Sequence, residues 1–443
     1  MTKNAARIDN IIKRDKKVFL ALPRVPYPFV VDHGDGDFAY DVDGKKFIDF
    51  TSFIGVYNMG VNSSAKVRNA IKVQVDKLMH NALLEFYSEL PVDFAELLVS
   101  MFPKGESWRV FLSNSGAEAV EAAMKFSNLF TKRYYNMAFY NAFHGRTKGA
   151  LSLTNSKVVQ REYFGPFAQG TIHVPYPYCY RCPFKLEYPG CGFACVDYIK
   201  KYPLSKEVNP KEVAAFFAEP VQGEGGYVVP PMDYFKELKA LLDDHGILFV
   251  ADEVQAGYMR TGKFLSLDNF GVKADIYTMA KAIGAGMPLG ATIVNGKFGD
   301  IPAGSHASTF GGNLAVVAGA YAQLQDVHKN WREIEASIVA KGKMALRRLK
   351  DMQERYEIIG DARGLGLMLA IELVKNKSTK EPATKERTEI IKDAFENGLL
   401  LLAAGQSTIR LAPPVTIDEG VLSKGLDILE ASVKKANANM LGN

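Results

Sequence analysis

The sequence predicts an α/β protein: a mostly parallel sheet covered on both faces by helices, followed by a smaller α+β lobe. Three observations carry this expectation. From about residue 65 helical stretches alternate with short apolar strands. The strand Ile247–Ala251 holds no polar residue, the mark of a strand buried on both faces. Beyond about residue 330 the pattern changes to a long charged helix followed by short strands. A chain of 443 residues also exceeds one compact domain. The expected division is an N-terminal segment over 1–64 that joins the small lobe, a large lobe over 65–330, and a C-terminal small lobe over 331–443.

Taken in order, Phe38–Val42 and Lys46–Phe50 flank Asp43-Gly44 and read as a hairpin. Lys66–His80 and Leu90–Met101 read as helices, Val110–Leu112 as a strand, and Ser115 to Lys132 as a further helix. Met137–Tyr140 and Val213–Phe217 read as strands, Tyr234–Asp244 as a helix closed by Gly246, and Ile276–Met279 as a short strand. The long helix is expected over Asn330–Tyr356. Gly364-Leu365-Gly366 then turns into a strand over Leu367–Leu373, and the polar stretch Lys375–Lys385 reads as a surface loop.

Composition excludes several function classes. The net charge of +5 comes from Lys and Arg interspersed with Asp and Glu, so neither nucleic acid nor a membrane surface is implied. No apolar run approaches the roughly 20 residues that cross a bilayer. The stretch Met1–Leu22 mixes Arg7, Lys13, Arg14, Lys16 and Lys17 with Asp9 and Asp15, unlike a signal peptide, so a cytoplasmic protein is expected. All four cysteines fall in Cys179-x2-Cys182-x8-Cys191-x3-Cys195, within a Tyr- and Pro-rich loop over 176–196 that reads as a local staple. Disulfides, a zinc or iron–sulfur site and free thiols all remain open. The gap between the pairs is shorter than most zinc modules use.

Several motifs sit where open α/β sheets place their ligands, at the carboxyl ends of strands. The run Phe249-Val250-Ala251-Asp252-Glu253-Val254-Gln255 delivers Asp252 to a strand end, and Ala280-Lys281-Ala282 closes the next strand. A carboxylate there can hold a pyridine nitrogen protonated, and the amine can form an imine and shuttle a proton. A helix-capping Asp and an unrelated surface Lys would look the same. Ser113-Asn114-Ser115-Gly116-Ala117-Glu118-Ala119 fits an anion site at a helix start, and equally an ordinary cap in which Ser115 is followed by Glu118. In Phe143-His144-Gly145-Arg146-Thr147 the aromatic can stack on a flat ring and Arg146 can grip a carboxylate; a structural loop with a solvated Arg is the alternative. Glu219-Pro220-Val221-Gln222-Gly223-Glu224 ends a strand in a Gly-rich turn with two acids. Ser308-Thr309-Phe310-Gly311-Gly312-Asn313 is a hydroxyl-rich turn before a helix, suited to a phosphate. Arg410 places a charge inside an apolar strand, which needs a partner or a ligand.

Together and in this order, these six motifs resemble the class III aminotransferases, the family of the 4-aminobutyrate, ornithine and acetylornithine enzymes, over about residues 25–430. The resemblance implies the aspartate-aminotransferase fold (fold type I), with a seven-stranded, mainly parallel sheet and a smaller α+β domain, and pyridoxal 5'-phosphate as cofactor. It implies Lys281 as the Schiff-base lysine, Asp252 on the pyridine nitrogen, Gln255 on the ring hydroxyl, Phe143 and Val254 on the two ring faces, and His144 and Glu219 among the cofactor-binding residues. Ser115, Gly116 and Ala117 would hold the phosphate. Ser308 and Thr309 would reach the phosphate of a neighbouring subunit, which implies a homodimer with shared active sites; pairing of dimers into tetramers stays open. No metal is implied at this site. The resemblance implies Arg146 and Arg410 on substrate carboxylates and Glu224 masking Arg410 when the donor lacks an α-carboxylate. In Phe53-Ile54-Gly55-Val56, Ile54 stands where ornithine enzymes carry a tyrosine, favouring 4-aminobutyrate-like or apolar donors. The expected reaction is ping-pong transfer of an amino group to 2-oxoglutarate. A racemase of the same family is the alternative, since both reactions start from the same imine. The Cys-rich loop departs from the common family pattern and resembles archaeal members. A binding protein that merely kept the fold would be expected to lose Lys281 or Asp252, and both are present.

Overall fold

The computed structural model describes residues 3–20, 24–62, 64–167 and 170–442. The chain divides into two compact units, one made of Met1–Ser63 with Ser337–Asn443 and the other of the continuous stretch Ser64–Ala336.

In the continuous unit, among the described residues, seven strands form one sheet: β1 (Trp108–Ser113), β2 (Tyr135–Phe139), β3 (Thr171–Val174), β4 (Val213–Ala218), β5 (Leu248–Asp252), β6 (Ile276–Met279) and β7 (Gly290–Asn295). Their order is β1-β7-β6-β5-β4-β2-β3. Strand β7 runs antiparallel to both of its neighbours, and the other pairings are parallel. β4 to β7 are buried at every position, as an apolar strand covered on both faces should be. Val120, Phe126, Ala138, Phe217, Val250 and Ile276 belong to one buried cluster between sheet and helices. Each large apolar side chain buried there contributes about 1.5–3 kcal/mol. The chain leaves β2 toward one edge and returns to build β4 to β7 toward the other. The direction of winding therefore switches between β2 and β4, where open α/β sheets open a crevice at the strands' carboxyl ends.

Among the described residues, the other unit contains two sheets. Val31–Asp35, Phe38–Asp41 and Lys46–Asp49 form a meander, and Leu399–Leu400 joins its edge in parallel, Leu399 opposite Ile48. The second sheet is built on Ile359–Leu365, Met368–Asn376, Thr408–Leu411 and Leu402–Ala404.

Several expectations need correction. The long helix begins at Leu314, not at Asn330, and runs to Arg355; the boundary between the two units, Ala336 to Ser337, lies within it. Its first turns, Leu314 to Ala322, are apolar and almost wholly buried and carry no charged face. The turn expected at Gly364–Gly366 is Gly366-Leu367, preceded by a strand. The loop expected over Lys375–Lys385 contains Glu381–Pro382, which pairs with the preceding strand, and the start of a helix at Thr384. β3 and β7 were not foreseen. Among the described residues no helix is long and apolar enough to cross a membrane.

Candidate active site

Five strand ends of the continuous unit carry the motif residues. At the end of β1, Ser115 caps the helix Gly116–Thr131, its Oγ accepting from Glu118 N at 3.2 Å. The cap reading of this motif therefore holds geometrically. It is also compatible with an anion site, because the first-turn N–H groups of any helix face out of its amino end. Glu118 completes the turn from the other side, accepting from Asn114 N at 2.9 Å and from Asn114 Nδ2 at 3.0 Å. The same Asn114 Nδ2 donates to Ser308 Oγ at 3.1 Å, which ties the Ser308–Asn313 turn to this helix start. Thr309 beside it is exposed.

The loop after β2 packs onto that helix start. Gly145 has φ +147°, and a Cβ there would lie 2.8 Å from Ala117 Cβ and 2.7 Å from Ala150 Cβ. Only glycine lets the loop approach this closely. Phe143 N donates to Glu219 Oε1 at 2.9 Å, while Glu219 Oε2 accepts from Gly223 N at 2.8 Å. One buried carboxylate thus stitches the loops after β2 and β4 across the winding switch. Burial pushes the Glu219 carboxyl up to about 7, against the attraction of His144.

Beneath these loops His144 Nδ1 lies 2.7 Å from Asp252 Oδ2, with both side chains buried. Burial alone would favour a neutral ring. The hydrogen bond and charge of Asp252, with the charge of Glu219, outweigh it and raise the His144 pKa. Asp252 Oδ1 accepts from Val254 N at 3.1 Å, fixing the carboxylate at the end of β5. In β6 the register partner of Asp252 is Thr278, so Lys281 follows three residues beyond. Lys281 is half-buried, opens a single 3-10 turn, and has a left-handed backbone with φ 49°. The next residue's carbonyl, Ala282 O, accepts from Gln323 Nε2 at 2.8 Å, which anchors the turn.

Two further predicted residues of this unit have partners that the sequence did not reveal. The exposed Arg146 guanidinium lies 5.4 Å from the centroid of the Phe143 ring. The Glu224 carboxylate is 2.5 Å from Lys157 Nζ. In the discontinuous unit, Ile54 and Arg410 are brought onto connected segments. Ser52 Oγ donates to Ala412 O at 2.7 Å and Ala412 N donates to Phe50 O at 2.8 Å. Arg410 is 8% exposed, opposite Ala370 in its sheet, and Ile54 is 51% exposed with φ 68°.

A sequence profile of the family described as "Aminotransferase class-III" matches residues 20–433. The chain belongs to the class III aminotransferase family. It is 37% identical to a leucine/methionine racemase of Thermococcus litoralis, covering 98% of each chain. It is 35% identical to a probable 4-aminobutyrate aminotransferase of Bacillus subtilis, covering 90% of this chain and 92% of that one. A solved amine transaminase from an uncultivated Pseudomonas species, in its pyridoxal-phosphate-bound form, superposes with a TM-score of 0.87 at 30% identity, covering 94% of this chain and 98% of that one.

A class III aminotransferase is an enzyme that works with pyridoxal 5'-phosphate, and the donor set here fits that cofactor. His144 Nε2 and Gln255 Oε1 are buried atoms without a hydrogen-bond partner among the described residues, so this crevice holds polar groups with spare capacity. Asp252, 3% exposed, supplies a carboxylate suited to a protonated ring nitrogen, and the helix start at Gly116 suits a phosphate. Three positioning residues escaped the motif reading. Thr154 Oγ1 accepts from His144 N at 2.8 Å and from Gly145 N at 3.1 Å, Glu121 Oε1 accepts from Gly149 N at 2.8 Å and from Ala150 N at 3.0 Å, and Gln323 holds the lysine turn. None stands in a run that marks it; each acts from another helix or from beyond its own motif.

The Cys-rich loop also needs correction as a covalent staple. The thiols of Cys179, Cys182, Cys191 and Cys195 are free. All four line one apolar cavity with Tyr176, Phe184 and Phe193, and burial pushes the Cys195 thiol up to about 12. Among the described residues no group of three or more His, Cys, Asp or Glu is placed to hold a metal ion.

Proposed function

We propose that this enzyme moves an amino group from an amine or amino-acid donor, 4-aminobutyrate-like or broader, to 2-oxoglutarate in a ping-pong cycle. The observation that carries the reading is the buried His144–Asp252 pair at the end of β5, with Lys281 three residues beyond the register partner of Asp252. When bound, pyridoxal phosphate supplies an electron sink that eases removal of the proton beside the amino group. Lys281 is the proton carrier, taking and returning that proton at Nζ. Asp252 holds the ring-nitrogen proton, and His144 backs that carboxylate through its 2.7 Å contact with Oδ2. Gln255 serves the ring hydroxyl, Phe143 and Val254 flank the ring, and Glu219 fixes the loop that carries Phe143. Ser115, Gly116 and Ala117 bind the phosphate.

In the same reading Arg146 binds a distal carboxylate and Arg410 an α-carboxylate. Glu224 takes part in distinguishing donors with an α-carboxylate from donors without one. Ile54 offers no hydroxyl to a second amino group. The probable 4-aminobutyrate aminotransferase of Bacillus subtilis, at 35% identity, supports this donor class. The active protein is a homodimer in which Ser308 and Thr309 serve the partner's phosphate, with pairing into tetramers open. Exposed Met79, Phe86, Tyr87 and Phe310 on the continuous unit support a second copy. Four free cysteines fit a reducing, cytoplasmic setting.

The racemase relatives, each 37% identical, support a second reading as an amino-acid racemase. The deciding experiment is a panel of amino donors with 2-oxoglutarate or pyruvate, followed through the cofactor's absorbance. Sustained turnover only with a 2-oxo acid present is expected. Inversion of a single L-amino acid without any 2-oxo acid, and no transfer with one, would overturn the aminotransferase reading.

A further inference from the structure

Gly223 lies in the turn after β4, and its backbone is held on both sides. Its N–H donates to Glu219 Oε2 at 2.8 Å, and its carbonyl accepts from Gly226 N and Tyr227 N at 3.1 and 3.2 Å. The residue before it is fixed as firmly. Gln222 exchanges backbone hydrogen bonds with Val228, each 3.1 Å long, and its buried side chain donates to Tyr140 O at 2.8 Å. The three atoms nearest to a Cβ built at Gly223 all belong to the Gln255 carboxamide: Oε1 at 2.6 Å, Cδ at 3.0 Å and Nε2 at 3.3 Å. The amide group of Gln255 therefore lies where a side chain of Gly223 would begin. Gln255 Oε1 is buried without a hydrogen-bond partner among the described residues. The space over Gly223, rather than a hydrogen bond to that oxygen, decides where it rests. Gly223 is not among the glycines with a positive φ, so its backbone would accept alanine.

We propose that Gly223 is a positioning residue for the cofactor site: by offering no side chain, it leaves the seat from which the Gln255 carboxamide reaches the ring hydroxyl. The inference rests on the reading of Gln255 above. The Gly223 backbone is pinned at both its N–H and its carbonyl, whereas the carboxamide ends a flexible side chain. A methyl group at Gly223 would thus displace the carboxamide and leave the turn in place. Ordinary contact begins at 3.4 Å, so Oε1 would have to retreat from 2.6 Å. A hydrogen bond of about 2.7–3.2 Å does not survive such a displacement. An amide N–H donated to the ring oxygen favours its deprotonated form, so losing that donor moves the titration of the bound cofactor upward. Gly223 touches no reacting atom in this scheme and acts through Gln255.

The test is a double-mutant cycle on the cofactor-loaded protein, read by the pH titration of the cofactor's absorbance and by urea unfolding. Gly223→Ala is expected to move the absorbance midpoint up by about one pH unit, with a urea midpoint close to the parent's. Gln255→Ala should move it by at least as much, and the double variant no further than Gln255→Ala alone. If the two shifts add, Gly223 acts through something other than Gln255 and the inference is overturned. If Gln255→Ala moves the midpoint and Gly223→Ala does not, the inference fails and the reading of Gln255 stands. If Gln255→Ala moves nothing, that reading fails, and the inference with it. Should Gly223→Ala fail to fold or to load cofactor, the double variant decides. Recovery in the double variant traces the defect to the carboxamide and supports the inference; continued failure overturns it.

Discussion

His144 is an imidazole whose charge is decided by two carboxylates. Breaking a buried pair by removing one partner strands the other, at about 3–5 kcal/mol. His144→Leu should therefore lose stability of that order in urea unfolding, and adding Asp252→Leu should recover part of it. A single-variant loss under about 1 kcal/mol would mean that the two groups do not act as a buried ion pair. Lys281 and Ile54 both occupy left-handed backbone, where a β-branched residue such as Ile54 is a genuine outlier. Such strain concentrates at working sites, costing of order 1–3 kcal/mol per residue. The identity of both residues was legible in the sequence, because the motifs name them. Their backbone was not, since nothing local distinguishes a left-handed Lys from a helical one. Lys157 and Thr154 were illegible for another reason: each meets a partner supplied by another loop, and composition carries no trace of that contact.

At the scale of the element, the helix Gly116–Thr131 serves two ends with one residue. Ser115 caps it, and the same amino end is the proposed phosphate site. The two roles separate in Ser115→Asp, which keeps a capping oxygen but adds a negative charge. The substituted protein should unfold within about 1 kcal/mol of the parent, yet bind pyridoxal phosphate at least tenfold more weakly by equilibrium dialysis. Undiminished cofactor affinity would remove the phosphate from this helix. Apolar runs bounded by turn residues made β4, β5 and β6 readable. β3 has only four residues with His173 among them, and β7 opens on glycine, so neither shows a strand's pattern. The early turns of the helix Leu314–Arg355 hid for the opposite reason, being apolar all round.

For the whole molecule, buried acids set a pH dependence. Burial raises Glu253 to about 8, and Glu219 to about 7, from an ordinary 4.5. Because the folded protein holds protons that the unfolded chain releases, the stability these groups confer is fully present below pH 4.5 and is lost as pH rises to about 8. The melting temperature should fall across that interval, and Glu253→Gln should flatten the fall. A profile rising toward pH 8 would contradict it. Glu253 accepts from Ser266 N at 2.8 Å and Leu267 N at 2.9 Å, far from any motif role, so its burial was invisible in the Asp-Glu-Val-Gln run that suggested chemistry. The two-unit division has a further consequence, in time. The strand Lys46–Asp49 lies beside Leu399–Leu400, which is synthesised about 350 residues later. At ~5–20 residues per second that is a wait of roughly 20–70 s, during which Phe47 and Ile48 lack the strand beside which they are finally buried. The continuous unit has its whole sequence in hand well before then, so a nascent chain should carry a folded core and an unfinished sheet edge, which is where a chaperone would be needed.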